Sequence, residues 1–133
     1  MGANTRSLLL SALPAAMFYG SLAAISNADH GMAAMGLAAA IQGLISYGST
    51  LVALSLMFRL ARMCAGWPLR VRRALVPLAV VSLFSSLSAA VHMQAGTPNV
   101  LLTIAPSLLI GWGYFTTVYW FEDSRRPFRT RPS

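Results

Sequence analysis

Few residues in this chain are able to carry chemistry, and the two histidines, His30 and His92, come first. Each has methionines beside it: Met32 and Met35 follow the first, and Met93 follows the second. Imidazole together with thioether suits copper, Cu(I) in particular. A pair of histidines is also a donor set for haem iron. The candidate ligands for copper or haem are therefore His30, His92, Met32 and Met93, with Asp29 close in sequence to the first. The simpler expectation is that no cofactor is bound and that the methionines are apolar filler.

A second set is polar and uncharged. Ser85, Ser88 and His92 are spaced by three and four residues, which places them on one face of a helix. Gln42, Ser46 and Thr50 have the same spacing in an earlier segment. Such side chains can hydrogen-bond between neighbouring helices or line a polar path, and Gln42, Ser85, Ser88 and His92 are the path candidates. His92 is also the one titratable side chain expected inside the apolar segments, where ionisable groups are functional candidates.

A third set is small. Gly36, Ala40 and Gly43 share a helical face, and Gly48 and Gly113 sit in two similar stretches, Leu44-Ile45-Ser46-Tyr47-Gly48 and Leu109-Ile110-Gly111-Trp112-Gly113. Small residues let helices approach closely, so all five are assigned to helix packing, within the bundle rather than between copies. Cys64 is the single cysteine, which rules out an internal disulfide and a zinc signature. No Ser-His-Asp set, phosphate-binding glycine loop or pair of carboxylates is visible. A non-enzymatic protein is expected.

The elements that position these residues follow from where charge is missing. The chain has 133 residues, of which 56% are apolar and 10% charged, against about 25% charged in ordinary soluble domains. Residues 7–28, 31–58 and 74–121 contain no Asp, Glu, Lys or Arg. A spanning helix takes about 20 apolar residues, so the last run holds two spans and the others one each. The reading is an all-α integral membrane protein: a four-helix transmembrane bundle of two hairpins over residues 1–123, with spans at about 8–26, 32–58, 75–94 and 100–121. Residues 124–133 form a basic, disordered cytoplasmic tail.

The ten positive charges are all arginine. Arg6 precedes the first span; Arg59, Arg62, Arg70, Arg72 and Arg73 lie between the second and third; Arg125, Arg126, Arg129 and Arg131 follow the fourth. A four-span reading puts all ten on one side, and the positive-inside rule makes that side cytoplasmic, with both termini in. Arg59, Arg62, Arg70, Arg72, Arg73, Arg125 and Arg126 are then placed to meet anionic headgroups or a partner protein. No nucleic-acid partner is expected from a basic balance confined to membrane edges. Trp67, Tyr119 and Trp120 fit interfacial belts, whereas Trp112 and Tyr114 are expected to pack deeper. The lysine-free, Ala-rich and Leu-rich composition points to a bacterial inner membrane. One alternative leaves spans two to four in place: Arg6, an apolar stretch and Ser26-Asn27-Ala28 also fit a cleavable signal peptide.

Two faint internal matches suggest a duplicated hairpin. One pairs the stretches ending at Gly48 and Gly113; the other aligns His30 with His92. Short matches among Leu, Ala, Ser and Gly arise easily, and coincidence is the preferred account. The functional expectation is a non-catalytic subunit or accessory component of a membrane assembly, such as a secretion or conjugation apparatus, associating with other membrane proteins or with itself. The alternatives are a small oligomeric transporter, pore or holin-like protein, and a haem or copper protein using His30 and His92.

Overall fold

The structure, a computed structural model, describes the backbone of residues 5–125 and the side chains of residues 12–121. It contains four α-helices and, among the described residues, no strand: α1 (Thr5–Ser26), α2 (Met32–Met63), α3 (Leu69–Gln94) and α4 (Val100–Arg125). A short 3-10 turn, Ala28–His30, joins α1 to α2. α2, α3 and α4 are long and apolar enough to cross a membrane, and the described apolar part of α1, Ala12–Ser26, is shorter.

The breaks fall where the sequence removes helical options. Gly31 and Gly96 adopt φ of +89° and +70°, a region that costs other residues a Cβ clash. Gly96 ends α3 as a left-handed glycine cap: its N–H donates to Met93 O at 3.2 Å and the Thr97 N–H to His92 O at 3.0 Å. Pro68 opens α3, and its carbonyl accepts from the Arg72 N–H at 3.0 Å.

The helix ends between α2 and α3 differ from expectation. Residues 59–73 read as a basic loop, but α2 continues to Met63 and α3 begins at Leu69, leaving only 64–68 between them. Arginine is a good helix former, and Arg59 and Arg62 lie at the C-terminal end of α2, where the macrodipole favours cations. At 32 residues, α2 is about 48 Å long, well beyond a hydrocarbon core of about 30 Å. α4 likewise runs to Arg125, so its helix crosses the boundary drawn at residues 123 and 124. Residues 126–133 and the side chains of Arg6 and Arg125 lie outside the described residues.

The helices form a ring in chain order. α1 packs on α2, α2 on α3, α3 on α4 and α4 back on α1, and α2 meets α4 across the centre. The seam between α1 and α2 is the most extensive and that between α4 and α1 the thinnest of the four. Gly20 and Gly43 make the first seam close: a Cβ on Gly20 would lie 3.0 Å from Ala39 O, and one on Gly43 3.3 Å from Ala16 O.

The distribution of side chains is inverted relative to a water-soluble domain. Buried positions hold Asn27, Gln42, Ser46, Ser88, His92, Thr97 and Thr103 alongside alanines and a few larger apolar residues. Leu13, Phe18, Leu44, Leu101, Leu109 and Phe121 are among the many large apolar residues left exposed. In the inner half, toward the arginines, the core is apolar instead: Ala53, Met57, Ala61, Val76, Val80 and Tyr119.

A common register relates the two hairpins. When Asn27 is set against His92, buried Ala12, Ala23, Ala38 and Ser46 fall on buried Pro77, Ser88, Thr103 and Gly111. This is the register of the Leu44–Gly48 and Leu109–Gly113 match. The alternative alignment of His30 with His92 pairs an exposed turn residue with a buried helical one, so it does not describe the fold.

Candidate functional site

Two polar clasps close the end of the bundle remote from the arginines. The first joins α1 to α4. Asn27, wholly buried, donates from Nδ2 to Ala23 O (2.9 Å) and to Thr103 Oγ1 (2.8 Å). Its Oδ1 accepts from the Asn99 N–H at 3.1 Å, next to the start of α4, where backbone donors have no intrahelical partner. Asn99 Nδ2 donates back to Ser26 O at 2.8 Å. Pro106 lacks the N–H that would bond the carbonyl four residues earlier; that carbonyl, Leu102 O, instead faces the Ser26 hydroxyl at 3.3 Å. The proline break in α4 is thus partly satisfied by α1.

The second clasp joins α3 to α2. Ser88 Oγ donates to Gln42 Oε1 at 2.7 Å, and His92 Nε2 lies 3.1 Å from the same oxygen. An amide oxygen only accepts, so His92 carries its proton on Nε2. His92 Nδ1, 2.9 Å from Thr97 Oγ1, then accepts from that hydroxyl. The imidazole is fully satisfied in its neutral form, and Thr97 grips residue 92 twice, through its hydroxyl and through its backbone N–H. With both lone pairs of Oε1 engaged, Gln42 offers only N–H to the bundle interior, where Nε2 lies 3.5 Å from Ser46 Oγ.

Below this hub lies a cavity of about 340 Å³ to which all four helices contribute. Its upper wall carries Gln42, Ser46 and Ser88; Tyr19, Ser85, Ser107 and Tyr114 add hydroxyls around the middle. Leu54, Phe84 and Phe115 form the floor and pack in turn on the apolar inner core. Among the described residues no charged side chain lines it. Volumes of 300–1,000 Å³ with apolar walls and a few placed polar groups are typical of small-molecule sites.

The chain matches no protein-family profile, no curated protein and no solved structure.

Of the path candidates, Gln42, Ser85 and Ser88 line the cavity, and His92 sits directly behind Gln42. The candidate ligands do not converge. His92 is wholly buried with both ring nitrogens engaged, whereas Met93, its neighbour in sequence, is 69% exposed and Met32 81% exposed; His30 is exposed in its turn. Among the described residues no cluster of three or more His, Cys, Asp or Glu side chains could hold a metal. A bound metal would have to displace Thr97 or Gln42 from His92.

Among the packing candidates only Gly43 lies at a helix contact. Gly36, Ala40, Gly48 and Gly113 are exposed, and a Cβ on any of the three glycines would meet nothing within 4 Å. The residue missed is Gly20. Ala16 and Gly20, four residues apart, mark the face of α1 turned to Ala39 and Gly43 of α2. Trp112 and Tyr114, expected deep, are 44% and 54% exposed, and Tyr119, expected in a belt, is wholly buried. Of the arginines, Arg59, Arg62 and Arg70 are exposed. Arg72 is buried, its Nη1 3.4 Å from Ala65 O, and the Arg73 guanidinium stands 5.0 Å from the Trp120 ring centre, within cation–π range.

Proposed function

We propose that this chain is a four-span integral membrane protein of a bacterial inner membrane, with both termini cytoplasmic, and that it binds a small molecule inside its bundle as a carrier or receptor subunit. The membrane reading is supported by the apolar exterior and by the arginines, all of which fall at one end of a four-span arrangement. The binding reading is carried by one observation: the 340 Å³ cavity whose polar groups come from separate helices. Buried polar groups weaken a bundle unless they are satisfied, and a simple scaffold has no use for unfilled space among them.

Topology is tested with single cysteines in a Cys64→Ser background. Asp29→Cys is expected to react with a membrane-impermeant maleimide on intact cells, and Gly66→Cys only after permeabilisation; the reverse pattern overturns the orientation. Binding is tested by extracting small molecules from the detergent-purified protein and from Ser85→Phe, which fills the cavity without removing a hydrogen bond seen among the described residues. A compound present with the first and absent from the second is expected. Identical extracts overturn the reading.

A subunit role draws support from a different feature. Gly36, Ala40 and Gly48 face outward on α2, where a helix of another protein or of a second copy could approach closely. Gly36→Leu together with Ala40→Leu is then expected to reduce association in native mass measurements. An unchanged mass distribution counts against it.

A further inference from the structure

The cavity has an orientation that narrows its ligand. Toward the clasped end it stops at the Gln42, Ser88 and His92 hub, and toward the arginines it stops at Leu54, Phe84 and Phe115, which rest on Met57, Val80 and Tyr119. Its exposed lining residues are Pro14, Ile110 and Tyr114. All three belong to α1 or α4, the pair that shares the thinnest seam of the ring and is held together by the Asn27 clasp. The opening is therefore lateral: it leads through the side of the bundle, at the level of its apolar exterior, and not to either end.

The lining hydroxyls of Ser49, Thr50, Ser88 and Ser107 give their protons to Ser46 O, Ser46 O, Gln42 Oε1 and Ile104 O, and the groups left to donate are Gln42, Ser46, Ser85, Tyr19 and Tyr114. Gln42 Oε1 is saturated, so the amide presents N–H. Ser46 Oγ accepts from Gln42, which leaves its own proton to give. Ser85, Tyr19 and Tyr114 make no hydrogen bond among the described residues, and their hydroxyls are available. Among the described residues no lining side chain offers a counter-charge, and an unpaired ion in such surroundings is strongly disfavoured.

We infer that the cavity is a side-entry site for a neutral, lipid-phase molecule bearing carbonyl oxygens, such as a quinone or a ketone. The carbonyl end lies against Gln42 and Ser46, and any hydrocarbon tail leaves between α1 and α4 into the lipid. This rests on the binding reading above and specifies its ligand.

The test uses the full chain in phosphatidylcholine nanodiscs, with empty discs as the partition control. The probes are duroquinone and durene, which share a tetramethylated ring and differ in the two carbonyls, and anthraquinone-2-sulfonate, which carries a charge. Saturable binding of duroquinone is expected, with durene about tenfold weaker, the change that one lost hydrogen bond of about average strength produces. Gln42→Leu is expected to weaken duroquinone about tenfold and leave durene unchanged, which separates a lost contact from a damaged fold. Ser85→Phe is expected to abolish binding of both. Equal binding of duroquinone and durene overturns the carbonyl assignment, and binding of the sulfonate as tight as that of duroquinone overturns side entry and neutrality. If no probe binds, yet a charged or water-soluble compound co-purifies with the wild type and is lost in Ser85→Phe, the inference fails and the binding reading stands. If no probe binds and the extracts are identical, both fall.

Discussion

Asn27 and His92 occupy equivalent positions in the two hairpins, and they do different work. Each lies within two residues of the end of the first helix of its hairpin, each is wholly buried, and each reaches across to the second helix of the other hairpin. Asn27 spends every side-chain bond on backbone groups or on Thr103, and what it closes is a seam: it braces the start of α4 and lies beside the serine that faces the carbonyl freed by Pro106. His92 bonds only side chains, Gln42 and Thr97, and what it fixes is an amide on a cavity wall. One position thus supports the fold in one hairpin and orients a candidate site in the other. Replacements at both should separate the two roles.

The largest effect is expected at Asn27. Asn27→Ala removes three hydrogen bonds at once and leaves an N–H beside the α4 terminus without its partner. Unsatisfied buried groups cost about 1–3 kcal/mol each, with the satisfied bonds worth about 1, so a loss of about 3 kcal/mol is expected in reversible unfolding in mixed micelles. Proteolysis should then open the α1–α4 seam first. If the loss is under about 1 kcal/mol, the clasp does not hold the ring closed.

His92→Asn should cost less, about 1–2 kcal/mol, because Asn keeps a donor but is too short to bond Gln42 and Thr97 together. Its effect on a ligand should be greater than its effect on stability: with Oε1 half released, the Gln42 amide can turn, and preorganisation of the cavity is lost. An outcome in which Asn27→Ala weakens ligand binding more than His92→Asn does would invert the comparison.

The sequence exposed the architecture and hid the faces. Uncharged runs, each with an arginine at one end, mark apolar helices without regard to how each is rotated, so the four elements are legible. Rotation is legible only in part, because outside the Gln42-Ser46-Thr50 and Ser85-Ser88-His92 rows these helices are apolar nearly all round. That is why Gly36 and Gly48 read as packing residues and lie exposed, while Gly20 goes unassigned. The Ser85, Ser88 and His92 face is legible through its three- and four-residue spacing, and Gln42, Ser85 and Ser88 do share a cavity. Asn27 and Thr97 read as connector and turn residues and Thr103 as one more position in the fourth span; the pairing of Asn27 with Thr103 joins distant parts of the sequence, and that of Thr97 with His92 depends on the turn at Gly96. The helix ends are misplaced because arginine reads as a sign of loop, although its long side chain can reach water from the last turns of a helix.

The inner core supplies a contrast to both clasps. Met57 is wholly buried among Ala53, Ala61, Val76, Val80 and Tyr119, where its own side chain contributes shape rather than hydrogen bonds. Met57→Leu conserves volume and should cost less than about 1.5 kcal/mol. Gln42→Met, an equally shape-conserving change one end of the bundle away, strands the Ser88 and His92 donors and should cost more than Met57→Leu in the same unfolding assay. Equal costs would mean that the polar hub contributes packing only.

The smallest expected effect is also the one most sensitive to surroundings. Gly48 lies mid-helix in α2, exposed, and a methyl group added there would meet nothing within 4 Å. In an isolated chain Gly48→Ala removes backbone freedom from the unfolded state and should stabilise by about 0.5–1 kcal/mol. The same methyl group would be unwelcome if another helix were seated on that face, since close approach there depends on the missing Cβ. The sign of the change therefore reports on the neighbours of α2. Stabilisation at high dilution that turns to destabilisation at high protein-to-lipid ratio would place a second copy against Gly48, whereas stabilisation at every ratio would assign that face to lipid and leave the cavity as the feature that most needs a partner.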